Sequence, residues 1–216
     1  QVLSLFPEHL DWHGGENIYM RDKLRLLSLS RQAWAPLSLQ RVISELYPKI
    51  LPQVQWLQGE QQLRPSKLGV MQGQQLKLAA KKLALKGLHN LYNLCIAWEL
   101  ARHVGLDDEQ IAAAAITFEA LPHRLQLLPL QGPWFFVNDS ISTTPHATIA
   151  ALEAFERQIV CLLVGGHDRG LDWQVFVDYL KRHPVHTLIT MGEHGRKIKA
   201  QVKAQCDATQ MSQILW

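Results

Sequence analysis

Apolar and polar residues recur with the clearest rhythm in the middle of the chain. From Asn90 to Val104 they alternate at a period of 3.6, which predicts a helix. Gly105 stands where a left-handed C′ residue would end it. Asp107 or Asp108 then caps a second helix, running through Ile111 and Ala112–Ala115 to about Phe118. Upstream, residues 2–6 read as a short buried strand, and Pro7, Gly14 and Gly15 break into a loop. Residues 16–28 carry a helical pattern, with Ile18, Tyr19, Lys23 and Leu24 or Leu27 at helix spacing. The stretch 31–75 is mixed; it holds Pro36, Pro48, Pro52 and Pro65 and admits short strands such as 53–57.

The second half has a different period. Residues 125–130 and 134–138 read as a hairpin around Gly132-Pro133. Pro145 suits the first turn of a helix over 145–155. Residues 158–164 are an apolar run ending at Gly165-Gly166, which predicts a parallel strand buried on both faces. A helix at 172–182, a strand at 185–190, Gly192 and a helix at 194–204 follow. This β-α-β-α order predicts an α/β class, a doubly wound sheet, with a domain boundary near Leu121. In such sheets ligands sit beyond the C-terminal strand ends, here Asn138-Asp139 and Gly165–Asp172.

Composition narrows the function classes. Hydrophobic residues make up 47% of the 216 residues and charged ones 19%, which predicts a folded core. A net charge of +3 from 22 basic and 19 acidic residues is too even to argue for nucleic acid. Lys77, Lys81, Lys82 and Lys86 read as a solvated face. Cys95, Cys161 and Cys206 lie far apart among apolar neighbours, so buried free thiols in a reducing compartment are expected. No apolar run approaches the ~20 residues that span a bilayer, and no signal peptide opens the chain, which predicts a cytoplasmic protein without a membrane partner. Gln1 and Trp216 bound the chain abruptly, and both ends are expected to be cuts in a longer protein.

Several clusters could carry chemistry, each with a plainer alternative. His9, Asp11 and His13 are ligand types a divalent metal wants, although a loop with two histidines is more often solvated. Lys23 is either a snorkelling surface lysine or one whose lowered pKa admits nucleophilic work or carbamylation. Asn90 and Asn93 could read an adenine edge or merely cap their helix. Arg124 suits phosphate oxygens or an interdomain salt bridge. Asp139 could hold ribose hydroxyls, or Asp139 and Ser140 could simply make the turn. Arg169, among Gly165, Gly166 and Gly170, could hold a carboxylate bidentately or sit solvated in a tight βα loop.

The order of these clusters is more specific than any one of them. Glu8-His9-Leu10-Asp11-Trp12-His13-Gly14, then Tyr19 and Lys23, Gly87-Leu88-His89-Asn90 with Asn93, Leu121-Pro122-His123-Arg124, Asn138-Asp139-Ser140 and Gly165-Gly166 with Asp168-Arg169-Gly170 closely resembles the Mur ligase family, and within it the glutamate-adding branch. The resemblance covers essentially the whole chain. It implies that residues 1–120 are the C-terminal part of a central ATP-binding domain, and that 121–216 are a Rossmann-like C-terminal domain truncated at its end. It implies an ATP-dependent ligase that joins glutamate to UDP-N-acetylmuramoyl-L-alanine through an acyl phosphate, with ATP and Mg2+ as cofactors, in peptidoglycan synthesis. By motif, His9 and a carbamylated Lys23 are implied as catalytic and metal-holding residues. Asn90 and Asn93 are implied at the adenine, Arg124 and Asp139 at the nucleotide, and Arg169, Ser140 and Thr143 at the amino-acid substrate. The complete ligase is expected to be monomeric, and this part of it able to self-associate through an exposed half-sheet.

Three departures qualify the resemblance. The phosphate loop G-x-x-G-K-[ST] is absent, so this chain alone is expected not to turn over ATP. A late Ser/Phe segment of the family is also absent. Ile141 stands where enzymes that add D-glutamate usually place a lysine, and Arg169 where the family usually has a lysine that contacts the glutamate, which together favour L-glutamate slightly. A folylpolyglutamate synthase-like ligase, a metal-dependent hydrolase built on His9, Asp11 and His13, and a non-catalytic nucleotide-binding module are the competing readings.

Overall fold

The computed structural model of the chain describes all residues except 1, 3, 7, 58–61, 130–131, 157, 207–212 and 216; at 11 and 213–215 it describes the backbone alone. The chain divides into two units, Gln1–Leu125 and Gln126–Trp216.

The first unit opens with a short helix α1 (Leu10–His13) and a longer α2 (Glu16–Leu29). Tyr19, Leu24 and Leu27 recur on the buried face of α2, as the periodicity expects, whereas Ile18 is exposed. The strand expected over 2–6 is not formed by the described residues there; Val2 donates one hydrogen bond to the Trp34 carbonyl at 3.1 Å and is buried. Strand β1 (Ala33–Pro36), helix α3 (Gln40–Leu46) and strand β2 (Val54–Leu57) follow. β1 and β2 pair in parallel, and Leu24, Leu27, Ala33, Ala35, Ile43, Ile50 and Val54 form their core with Val2.

A meander of β3 (Leu63–Ser66), β4 (Gly69–Gln72) and β5 (Gln75–Ala79) comes next, each pair joined through a two-residue turn. Its sequence gives little warning, because burial does not alternate along these strands: Gly69, Val70 and Met71 of β4 are buried in succession. The helices α4 (Leu88–His103) and α5 (Asp108–Thr117) pack on it. Gly105, at φ 95°, donates to the Arg102 carbonyl, and Leu106 donates to that of Ala101, which satisfies carbonyls at the end of α4. Asp107 caps α5 in a capping box with Gln110.

One polar network fastens this half together. Arg102 donates to both carboxylate oxygens of Asp108 at 2.7 and 2.9 Å, and Trp98 Nε1 donates to Asp108 at 2.9 Å. Lys77 on β5 lies 2.6 Å from the same carboxylate, so it is not part of a merely solvated lysine face. Glu99 accepts the backbone N–H of Leu63 at 2.9 Å, tying α4 to β3. The hydrogen bonds from Arg102, then those from Lys77 and Trp98, hold the Asp108 carboxyl well below the usual carboxylate range.

The second unit begins with an antiparallel hairpin, β6 (Gln126–Leu128) and β7 (Phe136–Asn138). Helix α6 (Pro145–Ala154) starts with Pro145 behind the Thr144 cap, which accepts the Ala147 N–H. Strand β8 (Cys161–Gly165), helix α7 (Gln174–Arg182), strand β9 (Thr187–Met191), helix α8 (Gly192–Gln205) and strand β10 (Gln213–Leu215) complete it. The three strands are parallel in the order β10-β9-β8, so the expected α/β alternation is present. Phe176, Val177 and Leu180 of α7 share one core with Ile198 and Val202 of α8 and Leu188 of β9.

Two expectations need correction. β8 is not buried on both faces: Val164 is buried, but Leu163 is 58% exposed. Among the described residues β8 is hydrogen-bonded to β9 alone, and the core lies against one face. Cys161 on that strand is consequently exposed, whereas Cys95 is buried and Cys206 partly so; all three thiols are free. Burial, with Glu99 nearby, pushes the Cys95 thiol up to about 12.

Asp108 yields a test of this packing. A carboxyl whose folded pKa is lowered adds stability that is complete above its unfolded value near 4 and is lost as the solution is acidified further. Asp108→Asn is expected to lower unfolding free energy at neutral pH by about 1–2 kcal/mol, discounted for a carboxylate about one-third exposed, and to flatten the loss below about pH 4. Urea unfolding from pH 7 down to pH 3 measures both.

Candidate functional site

The implied site residues fall on several short segments, and each has a local reason for its place. His9 precedes α1 with a left-handed backbone, φ 53°, and is exposed. Its Nε2 lies 3.8 Å from Glu8 Oε1, an attraction only when the imidazole is protonated. Lys23 is also exposed, one turn beyond Tyr19 on α2, and its Nζ sits 4.8 Å from the Tyr19 ring centroid. Helices α1 and α2 meet through His13: its Nδ1 is 2.7 Å from Asp22 Oδ2, and its ring packs edge-on against Trp12 and Tyr19. Trp12, His13, Asp22, Lys23 and Arg25 line a shallow depression of about 450 Å3. The Asp22 contact spans nine residues and has no sequence signature. Among the described residues no three His, Cys, Asp or Glu side chains converge as a metal site; the Asp11 side chain lies outside them.

Asn90 and Asn93 share one side of α4 at the i,i+3 spacing. Asn90 is buried, and its Nδ2 donates to the Lys86 carbonyl at 2.7 Å, which fastens the Gly87 turn to the helix. Asn93 is exposed. Arg124 is exposed in a turn whose N–H bonds to the Leu121 carbonyl at 3.1 Å. His123 and Leu125 on either side have positive φ, 65° and 43°, an uncommon backbone state for such residues.

In the second unit Asp139 follows β7. Its Oδ2 accepts from Ser142 Oγ at 2.5 Å, and its carbonyl accepts from the Ser142 N–H. Asn138 Oδ1 accepts the Ser140 N–H at 3.1 Å. Asp139 and Ser140 therefore lie in a hydrogen-bonded turn, and Thr143 continues it toward the Thr144 cap. Ile141 is half-exposed at the tip of this turn.

Arg169 lies in the loop between β8 and α7 and is exposed. Gly165 admits this loop: at φ 141° a Cβ added there would fall 2.0 Å from the Met191 carbonyl oxygen. The Gly166 N–H donates to that same oxygen at 3.0 Å. Asp168 Oδ1 accepts the Gly170 N–H at 2.9 Å, and Oδ2 accepts Lys197 Nζ at 2.5 Å. Lys197 first, then the Gly170 N–H, holds the Asp168 carboxyl below its ordinary range, and Asp168 raises Lys197 in turn. His194 on α8 is buried edge-on against Trp173 at 5.1 Å, and that burial lowers its pKa. Lys197 and His194 escape sequence reading, because Lys197 meets Asp168 across 29 residues. A depression of about 520 Å3, lined by residues including Tyr179, Arg182, His183 and His186, lies instead near the N-terminal ends of β8 and β9.

No family model matches the chain. It is 44% identical over 201 residues to UDP-N-acetylmuramoyl-L-alanine–L-glutamate ligase of Xanthomonas campestris pv. campestris, across 92% of this chain and 42% of that protein. The ligase of the same name from Salinispora tropica is 32% identical over 222 residues, across 96% and 49%. The chain belongs to the Mur ligase family. It spans a little under half the length of the curated relatives it matches. Among solved structures, MurF from Acinetobacter baumannii superposes with a TM-score of 0.72 at 17% identity, covering 98% of this chain and 49% of that one. MurC, a UDP-N-acetylmuramate-alanine ligase from Thermotoga maritima, gives 0.61 at 16% identity, covering 96% and 48%. These structures support the Mur ligase fold.

The two strand-end glycines separate clash from strain. Gly165→Ala meets the Met191 carbonyl, whereas a Cβ at Gly166, φ 110°, meets nothing within 4 Å. Gly166→Ala is expected to cost roughly 1–3 kcal/mol of backbone strain and Gly165→Ala distinctly more, seen as a larger drop in melting temperature by circular dichroism.

Proposed function

We propose that this chain is part of an ATP-dependent ligase that forms an amide between UDP-N-acetylmuramoyl-L-alanine and L-glutamate in peptidoglycan synthesis. The observation that carries this is identity of 40–44% over more than 90% of the chain to ligases named for that acceptor and that enantiomer. Residues on the N-terminal side of Leu121 are read as part of the central ATP-binding domain, and those from Leu121 onward as the Rossmann-like domain. No helix among the described residues is long and apolar enough to cross a membrane. A supply of ATP makes the cytoplasm the compartment of this reaction.

ATP supplies the phosphoryl group that activates the acceptor carboxylate, and Mg2+ the positive charge that screens it. His9 and Lys23 are the residues to hold the metal. Their chemistry fits under one condition. The His9 imidazole is an exposed nitrogen donor, but an unmodified Lys23 ammonium repels a cation, so its Nζ must carry a carbamate. Asn93 offers an exposed amide to the adenine edge, while Asn90 shapes the Gly87 turn beside it through its bond to Lys86. Arg124 supplies a cation for phosphate oxygens. Asp139 offers carboxylate oxygens to ribose hydroxyls from its turn, with Ser140 and Thr143 alongside. Arg169 holds a carboxylate of the incoming glutamate in a two-pronged hydrogen bond, leaving the amine to attack. Ile141 contributes no charge to the amino-acid pocket, so the enantiomer is selected without a cation at that position.

The test uses the complete ligase containing this chain, supplied with ATP, UDP-N-acetylmuramoyl-L-alanine and each glutamate enantiomer in turn. Product formation with L-glutamate, at least about tenfold faster per unit of substrate than with D-glutamate, is expected, a difference of ~1.4 kcal/mol in transition-state binding. Turnover of D-glutamate alone would overturn the assignment.

A further inference from the structure

The loop that carries Arg169 is gripped from α8 at both ends. At its near end, the side chain of Asp168 closes a ring around Arg169: Oδ1 accepts the N–H of Gly170, and Oδ2 accepts Nζ of Lys197. At its far end, Trp173 packs edge-on against His194, which stands three residues before Lys197 and on the same side of α8. Trp173 Nε1 is buried with no hydrogen-bond partner among the described residues, so the indole is held by the rings of His194 and Phe176 rather than by a polar bond. The Gly166 N–H anchors the start of the loop on the Met191 carbonyl, directly before α8.

A guanidinium recognises a carboxylate through two parallel hydrogen bonds, and such recognition weakens when the supporting backbone drifts. The Arg169 side chain is long, so its reach depends on a fixed Cα. That Cα lies inside the Asp168–Gly170 turn. We propose that Lys197 is a positioning residue for the incoming amino acid: it holds Asp168 and thereby sets where Arg169 presents its guanidinium. This rests on the assignment of glutamate binding to Arg169. Lys197 also engages the carboxylate that is one residue from Arg169, an anion that would otherwise compete with the substrate carboxylate for the guanidinium.

Steady-state kinetics on the complete ligase test this. Lys197→Met, which keeps the apolar stem and removes the charge, is expected to raise KM for glutamate about three- to tenfold, more than it lowers kcat, with KM for ATP unmoved. Lys197→Arg is expected to restore the glutamate KM. Asp168→Asn is expected to reproduce the effect, and the double variant Lys197→Met with Asp168→Asn to be no worse than either single one. An unaltered glutamate KM in Lys197→Met, beside a raised one in Arg169→Met, overturns the proposal alone. An unaltered glutamate KM in Arg169→Met overturns the glutamate assignment beneath it as well. A Lys197→Met enzyme that melts early and loses affinity for ATP and glutamate alike shows a purely structural lysine, and also overturns the proposal.

Discussion

The ends of β8 and β9 approach each other so closely that no side chain fits between them. Gly165 leaves the room that the Met191 carbonyl needs, and the Gly166 N–H bonds to that carbonyl. Everything at this end of the second unit depends on the approach. It brings the loop after β8 beside the first turns of α8, where Lys197 can reach Asp168 and His194 can pack on Trp173. It leaves Arg169 outward in that loop. In parallel sheets ligands sit beyond the C-terminal strand ends, and this loop leaves such an end.

Two aspartates show how one chemistry serves two ends. Asp108 collects Arg102, Lys77 and Trp98 around it and joins β5, α4 and α5 of the first unit. Its charge is consumed by structure. Asp168 is held by one lysine and one backbone N–H, at a strand end, beside an exposed arginine. Its charge organises a loop that faces water. The difference is one of position: the first carboxylate stands over packed helices and the second over the open end of a sheet.

In the proposed ligase the amino-acid pocket rests on Arg169 and has no cation at Ile141. Ile141 cannot supply a cation, and Arg169 presents a planar fork where a lysine would present a point charge. A fork demands a defined direction of approach, and in that proposal the bond from Lys197 of α8 to Asp168 supplies it.

The sequence alone carried the α/β class, the helices from Glu16, Leu88 and Asp108, the hairpin at Phe136–Asn138 and the parallel strands at Cys161 and Thr187, because each rests on local periodicity, a cap or a glycine. It also carried the order of motifs that marks the family. It failed at the described residues among 2–6, at the meander from Leu63 to Ala79, and in the burial of β8 and Cys161. Those outcomes are set by what packs on a segment, which its own residues do not state. That Asp139 meets Ser142 and that Asn138 meets the Ser140 N–H was also left open by the sequence. The Asp22 partner of His13 and the Lys197 partner of Asp168 were decided by tertiary structure alone, since a hydrogen bond across nine or 29 residues leaves no trace in a local pattern.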